Sequence, residues 1–178
     1  VTPWNALRYT PVYRAVTLIA GDIARIPCEI GSPTADTLWK QPNRYMSAFE
    51  FRRALIMQAL LYGNGFALIN RTVGGDLLEL VLLEHETVSL DLKSGYPVYR
   101  TKTYGDVMPE NIFHIRAPNT NGLWGDSPIR LCRTSLTVMA AQEDMALKSY
   151  TNAGNPKLAL IHPGRVDPAL LQKIEQHY

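Results

Sequence analysis

The stretch 47–71, SAFEFRRALIMQALLYGNGFALINR, decides the reading of the fold, because the period of its apolar residues changes inside it. Ser47 and Glu50 have the spacing of a capping box, in which two residues satisfy each other's exposed backbone donors. Gly63 stands where a left-handed C-cap is wanted, so a helix is predicted over 47–62. Its run Ala54, Leu55, Ile56, Met57, Ala59, Leu60, Leu61 is apolar on most sides, which implies burial by layers on both faces. From Phe66 the pattern becomes that of a strand, 66–71. Between helix and strand lies Gly63-Asn64-Gly65. A dinucleotide fingerprint follows a strand and opens a helix, and a phosphate loop needs G-x-x-x-x-G-K-[ST]; neither pattern is present. The three residues read as a helix-to-strand turn that uses glycine's access to positive φ.

Working outward, Thr10 caps a helix with Pro11 at its first position. Val12, Ala15, Val16, Ile19 and Ile23 then form one apolar face until Pro27 stops the helix, and a short strand is predicted over 28–30. Downstream of the opening stretch, strands are predicted at 77–83, 87–92 and 96–103, with turns at Gly74-Gly75 and Ser94-Gly95. A further turn at 109–111 leads to a strand through Arg116, and most of this is an antiparallel meander. APNTNGLWGDSP (117–128) is loop. Asp126 or Ser127 caps a long helix with Pro128 first, held to about Asn152 before Gly154 and Pro156 end it. At 1.5 Å per residue its ~25 residues reach about 37 Å, long for a small domain. A strand over 157–161 and a helix from Asp167 or Pro168 follow; that helix has no stop signal by Tyr178, and the chain is expected to be the first part of a larger fold. The fold class is α+β: mostly antiparallel sheet packed with helices, then a long helix and a small strand–helix element.

At 178 residues and 46% hydrophobic content the chain can bury roughly 70% of its unfolded surface, enough for one compact domain or two small ones. Cys28 and Cys132 follow no metal-ligand spacing, so reduced thiols in a cytosolic compartment are expected. No signal-peptide pattern opens the sequence and no apolar run approaches the ~18 residues of a membrane span, so a soluble protein without membrane association is expected. A net charge of +2 argues against tight general nucleic-acid binding. Its distribution is uneven. Residues 1–75 hold 8 Lys+Arg against 4 Asp+Glu, residues 76–126 hold 4 against 8, and residues 127–178 hold 6 against 4. Blocks of opposite sign suit head-to-tail contact between copies of one chain.

Residues with catalytic chemistry do not converge. In LEHET (83–87), an extended backbone puts Glu84 and Glu86 on one side and His85 on the other, a solvated strand end. His114 in IFHIR (112–116) sits opposite Phe113 and Ile115 on a polar sheet face and reads as structural. His162 and His177 have no carboxylate or cysteine partner at useful spacing, and Ser127 and Ser135 lack a nucleophile-elbow context. No catalytic residue, cofactor or metal is expected. On the long helix Arg130, Arg133, Thr134, Thr137, Ala141, Asp144, Lys148, Thr151 and Asn152 form one polar stripe, with Leu136, Met139, Ala146, Leu147 and Tyr150 on the other side. Its arginines come first and Glu143 and Asp144 later, against the macrodipole preference, so its ends are expected to face charged partners.

YRAVTLIAGDIARIPCEI (13–30), the run 38–71 that contains the opening stretch, ENIFHIR (110–116), GLWGDSPI (122–129) and NAGNPKLALIHPG (152–164) together resemble the N-terminal half of tailed-phage portal proteins of the HK97-like family. The order, the spacing and the pairing of Pro42-Asn43 with Phe51-Arg52 and Gly63-Asn64 carry the resemblance, which spans nearly the whole chain. It implies a ring, usually of twelve subunits, at one vertex of the capsid: a head–tail connector through which double-stranded DNA passes without sequence specificity. It further implies docking of the terminase large subunit, contacts with major capsid protein, scaffold and head-completion or tail adaptor proteins, assembly in the bacterial host cytoplasm, and no enzymatic activity. Carried onto this sequence, residues 1–126 resemble the wing, 127–155 the first stem helix, and 156–178 the start of the clip. Arg130, Arg133, Thr137, Asp144, Lys148 and Asn152 are then candidates for the DNA channel or a neighbouring subunit, and Lys157, His162 and Arg165 for partner docking on the clip. Two alternatives stay open: a metal-assisted hydrolase using Glu84, His85 and Glu86 or His114, and a generic α+β adaptor domain.

Overall fold

The computed structural model describes residues 2–93 and 95–151. The opening stretch folds as its pattern requires. Helix α4 spans Ala48–Tyr62, after the short α1, Pro3–Ala6, then α2, Thr10–Arg25, and α3, Pro33–Lys40. At its start Ser47 Oγ accepts the Glu50 N–H at 3.2 Å and Glu50 Oε2 accepts the Ser47 N–H at 3.0 Å, so both ends of the capping box are made. At its end Gly63 turns left-handed at φ 89°, a conformation that L side chains rarely adopt.

Strand β1, Asn64–Arg71, starts at once. It lies between β2, Leu77–Leu83, and a later strand, Ile112–Arg116, antiparallel to both. A second three-stranded antiparallel sheet is built from β3, Val88–Lys93, β4, Tyr96–Thr101, and β5, Gly105–Val107; the strand 112–116 is therefore β6. Register sorts the side chains into two faces. Phe66 pairs with Leu83 and His114, and Leu68 with Val81 and Ile112; this face packs on Val88, Tyr99 and Val107 of the second sheet. Ala67 pairs with Leu82 and Phe113, and this opposite face packs with Leu80 under Phe51 and Leu55 of α4. The first sheet is thus the middle of three layers, which is why β1 opens with five buried residues in a row instead of alternating. Burying side chains of the size of Phe51, Leu55, Phe66 and Leu68 contributes about 1.5–3 kcal/mol each.

Several boundaries differ from the sequence reading. Helix α2 includes Thr10, and its N-cap is Tyr9, which makes no side-chain cap bond. The face it buries is Val16, Ala20, Gly21 and Ala24, packed on Ile56, Met57 and Leu60 of α4, while Ile19 and Ile23 stay 43% and 46% exposed. Small residues let the two helix backbones approach closely, so they take the contact line and the larger apolar side chains are left on its flanks. There is no strand at 28–30: the Ile30 N–H is taken at 2.6 Å by Asp36 Oδ1, at the start of the unforeseen α3. The single meander is split in two because His85–Thr87 forms a 3-10 turn that redirects the chain between β2 and β3. The long helix is also divided. Ser127 Oγ accepts the Arg130 N–H at 3.1 Å and starts α5, Pro128–Leu131; Cys132, at φ −89° and ψ 11°, breaks it before α6, Arg133–Thr151. Residues 1–139 form one compact unit, and a second begins at residue 140. Among the described residues no helix is long and apolar enough to cross a membrane.

Candidate functional site

The residues that draw most polar contacts meet at the Gly63-Asn64-Gly65 turn. Asn64 is fully buried. Its Nδ2 donates to Gly125 O at 2.9 Å, and its Oδ1 accepts from Gly125 N–H at 2.7 Å and pairs with His114 Nε2 at 2.9 Å. Because the Gly125 contacts fix which Asn64 atom is the oxygen, the proton of His114 sits on Nε2, and Nδ1 accepts from Tyr99 Oη at 2.9 Å. A line of hydrogen bonds therefore runs from the 117–127 loop through β1 and β6 to β4 of the second sheet. Backbones come close enough here to demand glycine for a second reason. A Cβ on Gly65 would stand 2.2 Å from Leu55 O, and one on Gly125 would stand 1.9 Å from Gly63 O. The turn holds chain segments together and presents no ring of free N–H groups to a phosphate.

His114 is not on a polar sheet face. It points with Phe66 toward the second sheet, 4.4 Å from the Phe66 ring and edge-on to Tyr99. Burial, with Arg116 and His85 adding repulsion, lowers its pKa to about 4, so it is neutral at pH 7. With both nitrogens engaged it has no free site from which to move a proton. His85 is likewise turned inward by the 3-10 turn, stacked on Tyr62 at 4.7 Å between centroids, while Glu84 and Glu86 remain outside; burial pushes its pKa down too. The extended geometry expected for 83–87 is replaced by a 3-10 turn that turns the ring inward and leaves both carboxylates exposed. Among the described residues no three His, Cys, Asp or Glu come together as a metal site.

Of the residues predicted on the long helix, Arg130 and Arg133 share a cleft of about 400 Å³ with Tyr62, His85 and Trp124. Arg130 pairs with Asp126 at 2.7 Å, which offsets the unfavourable position of a cation near a helix start. Thr137 turns its hydroxyl back to Arg133 O at 2.8 Å. Asp144 and Lys148 are exposed, as is every residue from 141 to 151, including Ala146, Leu147 and Tyr150 of the side expected to be apolar. Asn152, Lys157, His162 and Arg165, with the strand and helix predicted beyond 156, lie outside the described residues. The sequence reading missed Asn64, Tyr99 and Trp124 as members of one cluster, since only topology brings β1, β4 and the 117–127 loop together. It also missed an apolar trough of about 470 Å³ on the helical side, where Ile23, Ile26, Ile56, Leu60 and Pro128 meet. The signal was present as apolar residues on α2 in excess of what one contact line can bury.

Comparison with known proteins places these features in a family. A family model described as phage portal protein matches residues 10–178. The portal protein of Enterobacteria phage HK97 is 32% identical over an alignment of 170 residues that covers 85% of this chain and 40% of that protein. The chain thus spans well under half the length of the curated relative it matches. Among solved structures, a chain of the virion of a native gene transfer agent particle superposes with a TM-score of 0.73 at 26% identity, over 98% of this chain and 53% of that one. A chain from the neck of the native particle, computed with C12 symmetry, gives 0.69 at 25% identity over 94% and 50%. An HK97-family phage portal protein from Corynebacterium diphtheriae gives 0.63 at 16% identity over 97% and 58%, a likeness of fold.

Proposed function

The chain belongs to the phage portal protein family, and from that premise we propose that it acts as a ring-forming head–tail connector subunit in a virion, at a capsid vertex, with a structural role and no catalysis of its own. The observation that carries this reading is the continuous match over nearly the whole chain, in sequence to one portal protein and in fold to a particle chain. Twelve copies would surround a channel for double-stranded DNA, as the C12 symmetry of the related neck suggests for that protein. The terminase motor would dock on the ring for packaging, and capsid, scaffold and tail adaptor proteins would seat around it.

Within the chain we assign residues 1–126 to a wing, 127–155 to a stem and 156–178 to the start of a clip. The physical chemistry is compatible. A conduit must let DNA slide, and dense Lys/Arg contacts would hold it through counterion release; a net charge of +2 avoids that. The exposed circumference of α6 beyond residue 140 suits a segment whose neighbours come from outside the chain. The test is electron microscopy and light scattering of the full-length protein. Discrete rings of one copy number are expected, and a strictly monomeric protein under assembly conditions overturns the reading.

A further inference from the structure

A second charged cluster, absent from the channel candidates, lies between α2 and α4. A hollow of about 180 Å³ there is walled by Arg14, Gly21, Arg25, Phe49 and Arg53. The guanidinium carbons of Arg25 and Arg53 sit 5.6 and 5.4 Å from the same Phe49 ring, so the aromatic face holds two cations in place before any partner arrives. Asp22 pairs with Arg25 at 3.3 Å, and Glu50 is committed to Ser47. Arg14 and Arg53 have no ion-pair partner among the described residues. Leu18, 65% exposed, lines the same hollow. Gly21 is informative because nothing lies within 4 Å of where its Cβ would be. Glycine inside a helix is destabilising relative to alanine; at Gly21 the small residue on the α2–α4 contact line also leaves the hollow open.

The opposite charge is found at the β1–β2 hairpin. Asp76 and Glu79 stand there, and Arg71 Nε ties the hairpin at 3.1 Å to Asn111, next to Glu110. None of these three acids is in an ion pair among the described residues, and Val73 at the tip is fully exposed. Because β1 runs back along α4, with Ala67 and Leu80 packed under Phe51, the hairpin lies toward the Phe49–Arg53 end of that helix, in the sheet layer instead of the helix layer. Both features thus lie toward the same end of α4, in different layers of the chain. A ring contact between identical subunits is heterologous and needs two different surfaces that complement each other.

We propose that the ring closes through these two surfaces: the arginine hollow between α2 and α4 of one copy receives the acidic β1–β2 hairpin of the next. Complementary charge fixes the register of that contact, and the exposed apolar side chains beside it exclude water. The inference rests on the portal reading and adds to it which faces meet.

The experiment is a charge swap in the full-length protein, read by sedimentation velocity over a range of concentration and salt, with thermal melting as a folding control. R14E/R53E and D76R/E79R are each expected to raise the concentration for half-assembly by about ten-fold or more, and the four-residue combination to recover most of that loss. Wild-type assembly should weaken as salt rises. Wild-type-like assembly of either pair variant, or no recovery in a combined variant that melts normally, overturns the interface while leaving the ring intact. If R14E/R53E assembles normally but loses affinity for double-stranded DNA, the hollow is a phosphate contact and the proposal fails. Persistent monomers of the wild type overturn the portal reading itself, and this interface with it.

Discussion

Strand β1 and helix α6 are opposites. The first five residues of β1 are buried, and the polar one among them, Asn64, makes three hydrogen bonds. Helix α6 buries none of its 19 residues, and beyond residue 140 even Met145 and Tyr150 are 75% and 83% exposed. Contacts inside the chain account for the choice of residue along β1. They account for almost nothing along the second half of α6, where apolar side chains in water bring no stability and an isolated helix of this length is marginal. One region is explained by its own fold; the other is left for the proposed ring to explain.

That contrast can be broken most severely at Phe66, which touches both sheets. Phe66→Ala is expected to cost about 3–5 kcal/mol of stability in chemical denaturation, and a loss below 1 kcal/mol would mean the two sheets are not packed through it. Asn64→Leu comes next. It strands the Gly125 N–H and C=O and the His114 Nε2 proton, for about 1–3 kcal/mol per buried orphan; a melting temperature equal to wild type would deny the network any role. The His114 effect is smaller. Its folded pKa lies below the ordinary 6.5, so its stabilisation is complete above about pH 6.5 and is lost as pH falls toward 4. The size is about 1–2 kcal/mol once solvent around the half-buried ring is allowed for. Thermal melts from pH 7.5 to 4 should show a steeper decline for wild type than for His114→Gln, with His85 adding a decline common to both. The smallest effect on the chain sharpens the comparison instead: reversing Asp144 and Lys148 should move its stability by no more than about 0.5 kcal/mol. The same change should alter ring stability or DNA packaging in the full-length protein, and unchanged packaging with an unchanged ring would deny these positions a role.

Local signals were readable where one residue type has one structural use. Ser47, Glu50 and Gly63 bounded α4 correctly, and Ser127-Pro128 marked a helix start, because caps act within a few residues of themselves. Ser32-Pro33 has the same pattern at the start of α3, but Ser32 makes no side-chain cap bond and the eight-residue helix buries none of its residues. Choices between two apolar faces were not readable. On α2 the alanine line and the isoleucine line both recur at helical spacing, and only the presence of α4 decides that the small residues go inside. His85 and His114 were placed outside for a related reason. Alternation along a strand says which residues share a face, not which face meets another layer, and the second sheet covers the one that carries His114. Asn64 was seen as part of a turn, but its partners are 50 and 61 residues away.

That last separation has a consequence for how the protein is made. Gly125 leaves the ribosome 61 residues after Asn64. At roughly 5–20 residues per second this is several seconds of synthesis, during which α4 and β1 exist without the loop that closes over their turn. The nascent polypeptide therefore carries an open polar seam until the segment that precedes α5 emerges, so protease sensitivity at the 63–65 turn should vanish only in chains released beyond residue 125.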